Sequence, residues 1–233
     1  MEKIGVVVTA GGIGRRFGGD KPKQFLEILG IPVLIITLKR ILKQPQIGQV
    51  VLTVPEGYLQ VAGDLLSQYN LAGVTLTAGG NTRRESVARG VYTLEKSFSI
   101  VAVHDGVRPF FPENIFKDAE MKIKEGYAGV IPALPLRDTV KEVEDGKVVI
   151  TLDRSRLYAV QTPQIFLRDA LLKGHAFGEK EQLDAFDDSF LVEQTNGQVA
   201  VIPGDNKNLK ITWPEDLEIA EVLLKKYFLK ELW

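Results

Sequence analysis

Apolar runs rich in β-branched residues recur along the chain as IGVVVTA, QVVLTV, VTLTA, SIVAVHD, AGVIPAL and QVAVIPG. Between most of them lie segments with helical spacing. In PVLIITLKRILKQ, Leu34, Leu38, Ile41 and Leu42 fall on one stripe; a second stripe runs through Tyr58, Val61 and Leu65, and a third through Val87, Val91 and Leu94. Apolar positions three and four residues apart mark helices with one buried face. Strands that are apolar throughout need cover on both faces, which in a β–α alternation means a mostly parallel sheet between helices. The pattern therefore predicts an α/β fold, with a mostly parallel Rossmann-like sheet flanked by helices.

One segment breaks the alternation. TVKEVEDGKVVITL, from Thr139 to Leu152, reads as two strands joined at Asp145-Gly146, a dipeptide suited to a tight hairpin turn. It has no helix to cover it. An isolated two-stranded ribbon is only marginally stable, so this projecting β-hairpin arm is either an ordinary surface hairpin or a dimerisation arm that packs on a second copy.

Length and composition narrow the class. The 233 residues suit a single domain, taken as 1–233 with an arm subdomain over 136–156, and 45% hydrophobic content supports a sizeable core. A net charge of −1 provides no global field toward a polyanion, so neither nucleic acid nor a membrane surface is expected as a partner. Any anion must be met by local charge. With no cysteine, disulfides, thiolate metal sites and a cysteine nucleophile are excluded. MEKIGVVVTA has too short an apolar run for a signal peptide and no stretch reaches membrane-spanning length, so a cytoplasmic protein is expected.

Local charge is concentrated directly after the first apolar run, in TAGGIGRRFGGDKPKQF. The dinucleotide fingerprint fails there, because Phe17 stands where close helix–strand packing needs a small residue. The Walker pattern fails as well, because Lys21 is followed by Pro22 and not by a hydroxyl residue. What remains is a long loop whose glycines bare backbone N–H groups to an anion while Arg15, Arg16, Lys21 and Lys23 close around it. Each cation alone reads as a solvated surface charge; together, beside these glycines, they point to a triphosphate.

These residues also carry a family likeness. G-G-I-G-R-R-F, followed by D-K-P-K-Q-F-L and G-I-P-V-L, resembles the signature of sugar-phosphate and polyol-phosphate cytidylyltransferases. G-G-N-T-R-R-E-S-V, H-D-G-V-R-P, P-L-R-D-T-V-K, D-R-S-R-L, Q-T-P-Q-I-F, F-D-D-S and N-L-K-I-T-W-P-E-D-L follow in order. Taken over nearly the whole chain, the set resembles the 2-C-methyl-D-erythritol 4-phosphate cytidylyltransferase family of the non-mevalonate isoprenoid pathway. The resemblance implies a fold of the nucleotide-diphospho-sugar transferase type, and attack of a phosphomonoester oxygen on the α-phosphorus of CTP with release of pyrophosphate. Two anions meet in such a reaction, so alignment and cations around the phosphorus carry catalysis.

By the same resemblance Arg16, Lys23 and Lys210 are catalytic. Ala10, Gly11, Gly12, Gly14, Gly79, Gly80, Asn81, Arg83, Ser86 and Asp105 hold the nucleotide. Asp105, Arg108, Thr139, Arg154 and Thr162 hold the acceptor, with Thr139 and Arg154 reaching into a neighbouring subunit's site so that a homodimer is needed. Asp105 closes an apolar run, where open α/β sheets place ligands; it is the candidate ligand for Mg2+ or another divalent cation, the alternative being a helix-capping or turn aspartate. Arg154 reads equally as an edge-strand charge that discourages aggregation. His104 reads as a packed, hydrogen-bonding histidine, since His175 is the only other and no ligand spacing appears.

The chain departs from the family at one point. Phe186-Asp187-Asp188 stands where T-D-D or T-D-E is usual, removing a hydroxyl expected at the acceptor. Three alternatives stay open at this level: a ribitol-5-phosphate cytidylyltransferase, a CTP-binding regulator without catalysis, and, disfavoured by Phe17, a dehydrogenase.

Overall fold

The computed structural model describes residues 3–11, 25–183 and 185–231. Six strands arise from the apolar runs: β1 (Ile4–Thr9), β4 (Ile47–Val54), β5 (Val74–Ala78), β6 (Ile100–Asp105), β7 (Gly129–Pro135) and β12 (Val199–Pro203). β2 (Glu27–Ile28) and β3 (Ile31–Pro32) make a small separate ribbon. β1 pairs in parallel with β4 on one side and β6 on the other, β4 pairs in parallel with β5, and β7 pairs in parallel with β12. β10 (Tyr158–Val160) and β11 (Gln164–Leu167) complete the sheet, and both run antiparallel to their neighbours. β11 joins β6 to β7. The expectation of a mostly parallel sheet holds, with this antiparallel insertion added.

The strands are buried on both faces because alternate residues feed two cores. Val6, Val8, Val50, Leu52, Ile100 and Ala102 enter one cluster, together with residues of α1 (Val33–Leu42), α2 (Leu59–Gln68), α4 (Ile115–Lys124) and α7 (Pro214–Leu223). Val7, Val51, Val101 and Val103 enter the other, with residues of α3 (Arg83–Thr93), α5 (Arg168–Lys180) and α6 (Asp188–Gln194). The period-two geometry of a strand forces this division.

Two helix stripes sit slightly differently from expectation. Leu34, Leu38 and Ile41 of α1 are buried, but Leu42 is 38% exposed, because one residue past Ile41 turns 100° away from the sheet. In α2 the buried positions are Ala62 and Leu66, one step round from Val61 and Leu65, and Val61 is 45% exposed. Val87 and Val91 of α3, and Leu94 directly after it, are buried as expected. Gly90 lets α3 lie directly on the sheet: a Cβ there would meet Val7 Cγ1 at 2.4 Å.

The arm is a hairpin of β8 (Val140–Glu144) and β9 (Lys147–Leu152), which among the described residues pair only with each other, antiparallel. Its turn is at Asp145-Gly146, both with positive φ (48° and 75°), as a two-residue hairpin turn requires. Among the described residues, no helix is long and apolar enough to cross a membrane.

Candidate active site

β1 sends its neighbours β4 and β6 off in opposite directions, so the carboxyl ends of β1 and β6 flank a topological switch point, where such sheets bind ligands. A cleft opens there. It is lined by Thr9, Ala10 and Gly11 after β1, by Gly80 to Arg83 and Ser86 at the start of α3, by Asp105 and Val107 after β6, and by Lys210.

The α3 side is built by local hydrogen bonds. Thr82 caps the helix by accepting from the Glu85 N–H (3.1 Å), and Glu85 Oε2 accepts from the Asn81 N–H (2.8 Å). This reciprocal cap is the T-x-x-E pattern of the sequence. Ser86 donates to the Thr82 carbonyl (2.9 Å) and accepts from the Gly80 N–H (3.0 Å). Its hydroxyl therefore shapes the loop while it lines the cleft. Glycine is required at position 80, where a Cβ would lie 2.2 Å from Glu85 Cβ. The outcome is a helix N-terminus turned to the cleft, a favourable site for an anion.

The β6 side is built around Asp105, only 7% exposed. Its Oδ2 takes Lys210 Nζ at 3.0 Å and Arg108 Nε at 3.2 Å. Burial works against its charge, but Lys210, Arg83 and Arg108 outweigh burial and hold the carboxyl well below the usual carboxylate range. Burial alone lowers Arg108 from the ordinary arginine value, an effect that Asp105 partly offsets. Lys210 reaches the site because the chain is pinned on both sides of it. Asn208, fully buried, donates to the Thr162 carbonyl (2.9 Å) and accepts at its own carbonyl from Arg108 (2.9 Å), and the Ile211 N–H bonds to the Val107 carbonyl (3.0 Å). Thr162 stands behind Asp105, its hydroxyl oxygen accepting from the Asp105 N–H at 3.0 Å. From below, α1 holds the turn: Thr37 donates to the Gly106 carbonyl (3.0 Å), and buried Arg40 donates to the carbonyls of Pro109 and Phe111 (2.9 and 3.0 Å).

Of the residues singled out in the sequence, the cleft brings together Ala10, Gly11, Gly80, Asn81, Arg83, Ser86, Asp105 and Lys210. Gly79 lies just outside, its carbonyl accepting from Arg89 (2.8 Å). Arg108 and Thr162 support Asp105 from behind. Thr139 and Arg154 flank the arm and are not among the residues lining the cleft, and Arg154 donates to the Arg137 carbonyl. Gly12, Gly14, Arg16 and Lys23 lie outside the described residues. Phe186 is 90% exposed, and Asp187 caps α6 by accepting from the Phe190 N–H (2.9 Å). Sequence reasoning missed Asn208, Thr37 and Arg40 as organisers of the site, and with them Gln161, which accepts from the Asn208 side chain (3.3 Å) and donates to the Asp205 carbonyl (2.9 Å). Only Asn208 and Gln161 carried a signal, as members of the quoted motifs.

Among the described residues no group of three or more carboxylate or imidazole side chains is arranged for a metal. Asp105 is the one carboxylate among the described lining residues. A single carboxylate completed by substrate phosphates and water suits magnesium, which rarely takes an all-protein cage.

Solved structures share this arrangement of sheet and helices. The 4-diphosphocytidyl-2C-methyl-D-erythritol synthase of Anaerococcus prevotii superposes with a TM-score of 0.83 at 29% identity, covering 97% of both chains. The 2-C-methyl-D-erythritol 4-phosphate cytidylyltransferase of Francisella tularensis gives 0.82 at 27%, covering 95% of this chain and 99% of that one. With an anion-facing cleft at the switch point, the fold is that of an α/β nucleotidyltransferase. The model of the 2-C-methyl-D-erythritol 4-phosphate cytidylyltransferase (IspD) family matches residues 4–226. The cytidylyltransferase of that name from Carboxydothermus hydrogenoformans is 72% identical over 100% of both chains, and that of Syntrophus aciditrophicus is 40% identical over 96% of this chain and 97% of the other. The chain belongs to the IspD family.

Proposed function

We infer that this chain transfers the cytidylyl group of CTP to 2-C-methyl-D-erythritol 4-phosphate, giving 4-diphosphocytidyl-2-C-methyl-D-erythritol and pyrophosphate in non-mevalonate isoprenoid biosynthesis. The observation that carries this reading is the cleft itself. A helix N-terminus, Arg83 and Lys210 converge on it at the sheet's switch point, in a chain 72% identical to a cytidylyltransferase.

The chemistry needs no side-chain nucleophile. An oxygen of the acceptor phosphate forms the new bond to the α-phosphorus of CTP, the bond from that phosphorus to the β-bridging oxygen breaks, and pyrophosphate departs with the electron pair. The acceptor is already ionised, so no general base is called for. Lys210, paired to Asp105, presents a fixed charge beside the phosphates, and the N-terminus of α3 beside Arg83 is suited to the nucleotide. Preorganised charge of this kind lowers the barrier because it needs no rearrangement as the transition state forms. Asp105, held anionic, serves to orient Lys210 and Arg108 and is the side chain that would hold magnesium. When bound, that ion supplies charge neutralisation to the triphosphate.

The reading extends to a homodimer formed through the arm and to action in the cytoplasm. The arm supports the dimer: Val143, Val148, Val149 and Ile150 are each more than half exposed on a ribbon that pairs with nothing else among the described residues. In such a dimer Thr139 and Arg154 would complete the partner's acceptor site. The test is pyrophosphate release from magnesium-CTP with 2-C-methyl-D-erythritol 4-phosphate and, separately, with ribitol 5-phosphate. Turnover with the first alone is expected; preference for ribitol phosphate, or no turnover with either, overturns the assignment.

A further inference from the structure

The second aspartate of F-D-D-S has no part in the chemistry above, yet it is the most deeply placed carboxylate near the cleft. Asp188 is 0% exposed and meets two side chains from different elements. Arg83 Nη2 of α3 lies 2.7 Å from its Oδ2, and His175 Nε2 of α5 lies 3.0 Å from its Oδ1. We propose that Asp188, oriented by His175, is a positioning residue that sets the guanidinium of Arg83 in the nucleotide cleft.

Three observations carry this. First, Arg83 lines the cleft, and its long side chain reaches a single orientation only if something holds it. Asp188 holds it as a close ion pair through Oδ2, a buried oxygen. Second, the residues on either side of Asp188 are tied to the sheet. Gln164 of β11 donates to Asp187 Oδ2 (2.7 Å) and accepts from the Ser189 N–H (3.3 Å), and Gln164 lies opposite Val103 of β6, two residues before Asp105. A continuous frame therefore runs from the central sheet through the start of α6 to Arg83. Third, His175 spends its ring on this carboxylate. A carboxylate only accepts, so Nε2 carries the proton, and Nδ1 is buried with no hydrogen-bond partner among the described residues.

A buried ion pair is poor evidence for stability, since apolar residues of the same volume often serve the fold as well. Retaining one beside a ligand cleft accords with a geometric role. The charges agree with it: burial disfavours the ionised form of Asp188, yet Arg83 and His175 outweigh burial and keep it below the ordinary carboxylate range.

Because this rests on the functional reading, the experiment measures CTP affinity by calorimetry alongside pyrophosphate release. A chain that binds CTP without turnover would overturn the function alone, and the comparison below would then be read from binding. Asp188→Asn, Arg83→Gln and the double variant are compared with the unsubstituted chain. With Arg83 present, Asp188→Asn should weaken CTP binding or kcat/KM about tenfold, the scale of a hydrogen bond to a charged group. In the Arg83→Gln background the same change should cost less than about twofold, because Asp188 acts through Arg83. Equal losses in both backgrounds overturn the proposal.

Should Asp188→Asn fail to give a cooperative melt, His175 decides. Glutamine places an N–H near the position of Nε2 and leucine does not. His175→Leu should therefore lose several-fold in CTP affinity while His175→Gln keeps most of it; equal affinities for these two refute the arrangement.

Discussion

Acidification from pH 7 to pH 5 should strip stability from this chain through His104. The ring is fully buried. Nε2 lies 2.9 Å from the Arg108 carbonyl, which can only accept, so the proton sits on Nε2; Nδ1 then accepts from the Thr162 hydroxyl at 3.0 Å. The neutral ring is satisfied at both nitrogens, and burial pushes its pKa from 6.5 down to about 4. The unfolded chain takes up the proton near 6.5 and the folded chain only near 4, so between these values the unfolded state binds more protons. Stability contributed by the neutral ring is complete above the unfolded value and is lost as pH falls toward the folded one. The whole shift corresponds to about 3 kcal/mol, of which about 2 kcal/mol is gone by pH 5. Asp105, also depressed, loses its share only below the ordinary carboxylate value of 3.8, so the two windows separate. Urea unfolding at pH 7, 6 and 5, for the unsubstituted chain and for His104→Gln, measures this directly. The variant starts less stable but should lose about 2 kcal/mol less across the interval. Parallel pH dependences in the two proteins would refute the reasoning.

Lys210→Ala should lower kcat by about 10²- to 10³-fold, the scale of removing a preorganised charge donor. Removing it also leaves buried Asp105 without its largest compensating charge, so the melting temperature should fall as well, and a circular-dichroism melt beside the pyrophosphate assay run below that temperature separates the two effects. Gly80→Ala drives a Cβ into Glu85 and disturbs the cap of α3. Its expected signature is CTP affinity weakened by roughly tenfold with the fold intact, read by calorimetry. In the arm, Val148→Glu with Ile150→Glu places charge on two exposed apolar positions. Light scattering should then report a smaller species than the unsubstituted chain, and turnover should fall with it; an unchanged mass with full turnover would count against the arm as a dimer contact.

The central architecture was legible because its strands are mostly apolar and the helices carry apolar stripes, buried throughout in α3 and in all but Leu42 in α1. The arm was legible because Asp145-Gly146 encodes its own turn. β10 and β11 were not, since Y-A-V and Q-I-F-L are short and their antiparallel places exist only once β6 and β7 stand apart to receive them. A similar limit applied to the site. Asp105 was found from its place at the end of an apolar run, and Lys210 and Arg83 through ordered motifs. Nothing local marked Arg40, which reads as a surface charge on a helix and lies buried under the Asp105 turn with carbonyl partners 69 and 71 residues away.

Apolar periodicity and turn chemistry are short-range properties, written in neighbouring residues, and they alone determined the alternating elements, the two-sided sheet and the hairpin turn of the arm. The partners of Asp105 and Asp188 were decided only in three dimensions. Electrostatics inside a protein depends on distance and burial, and Lys210 comes to lie 3.0 Å from Asp105, and Arg83 2.7 Å from Asp188, only after the sheet has ordered their elements.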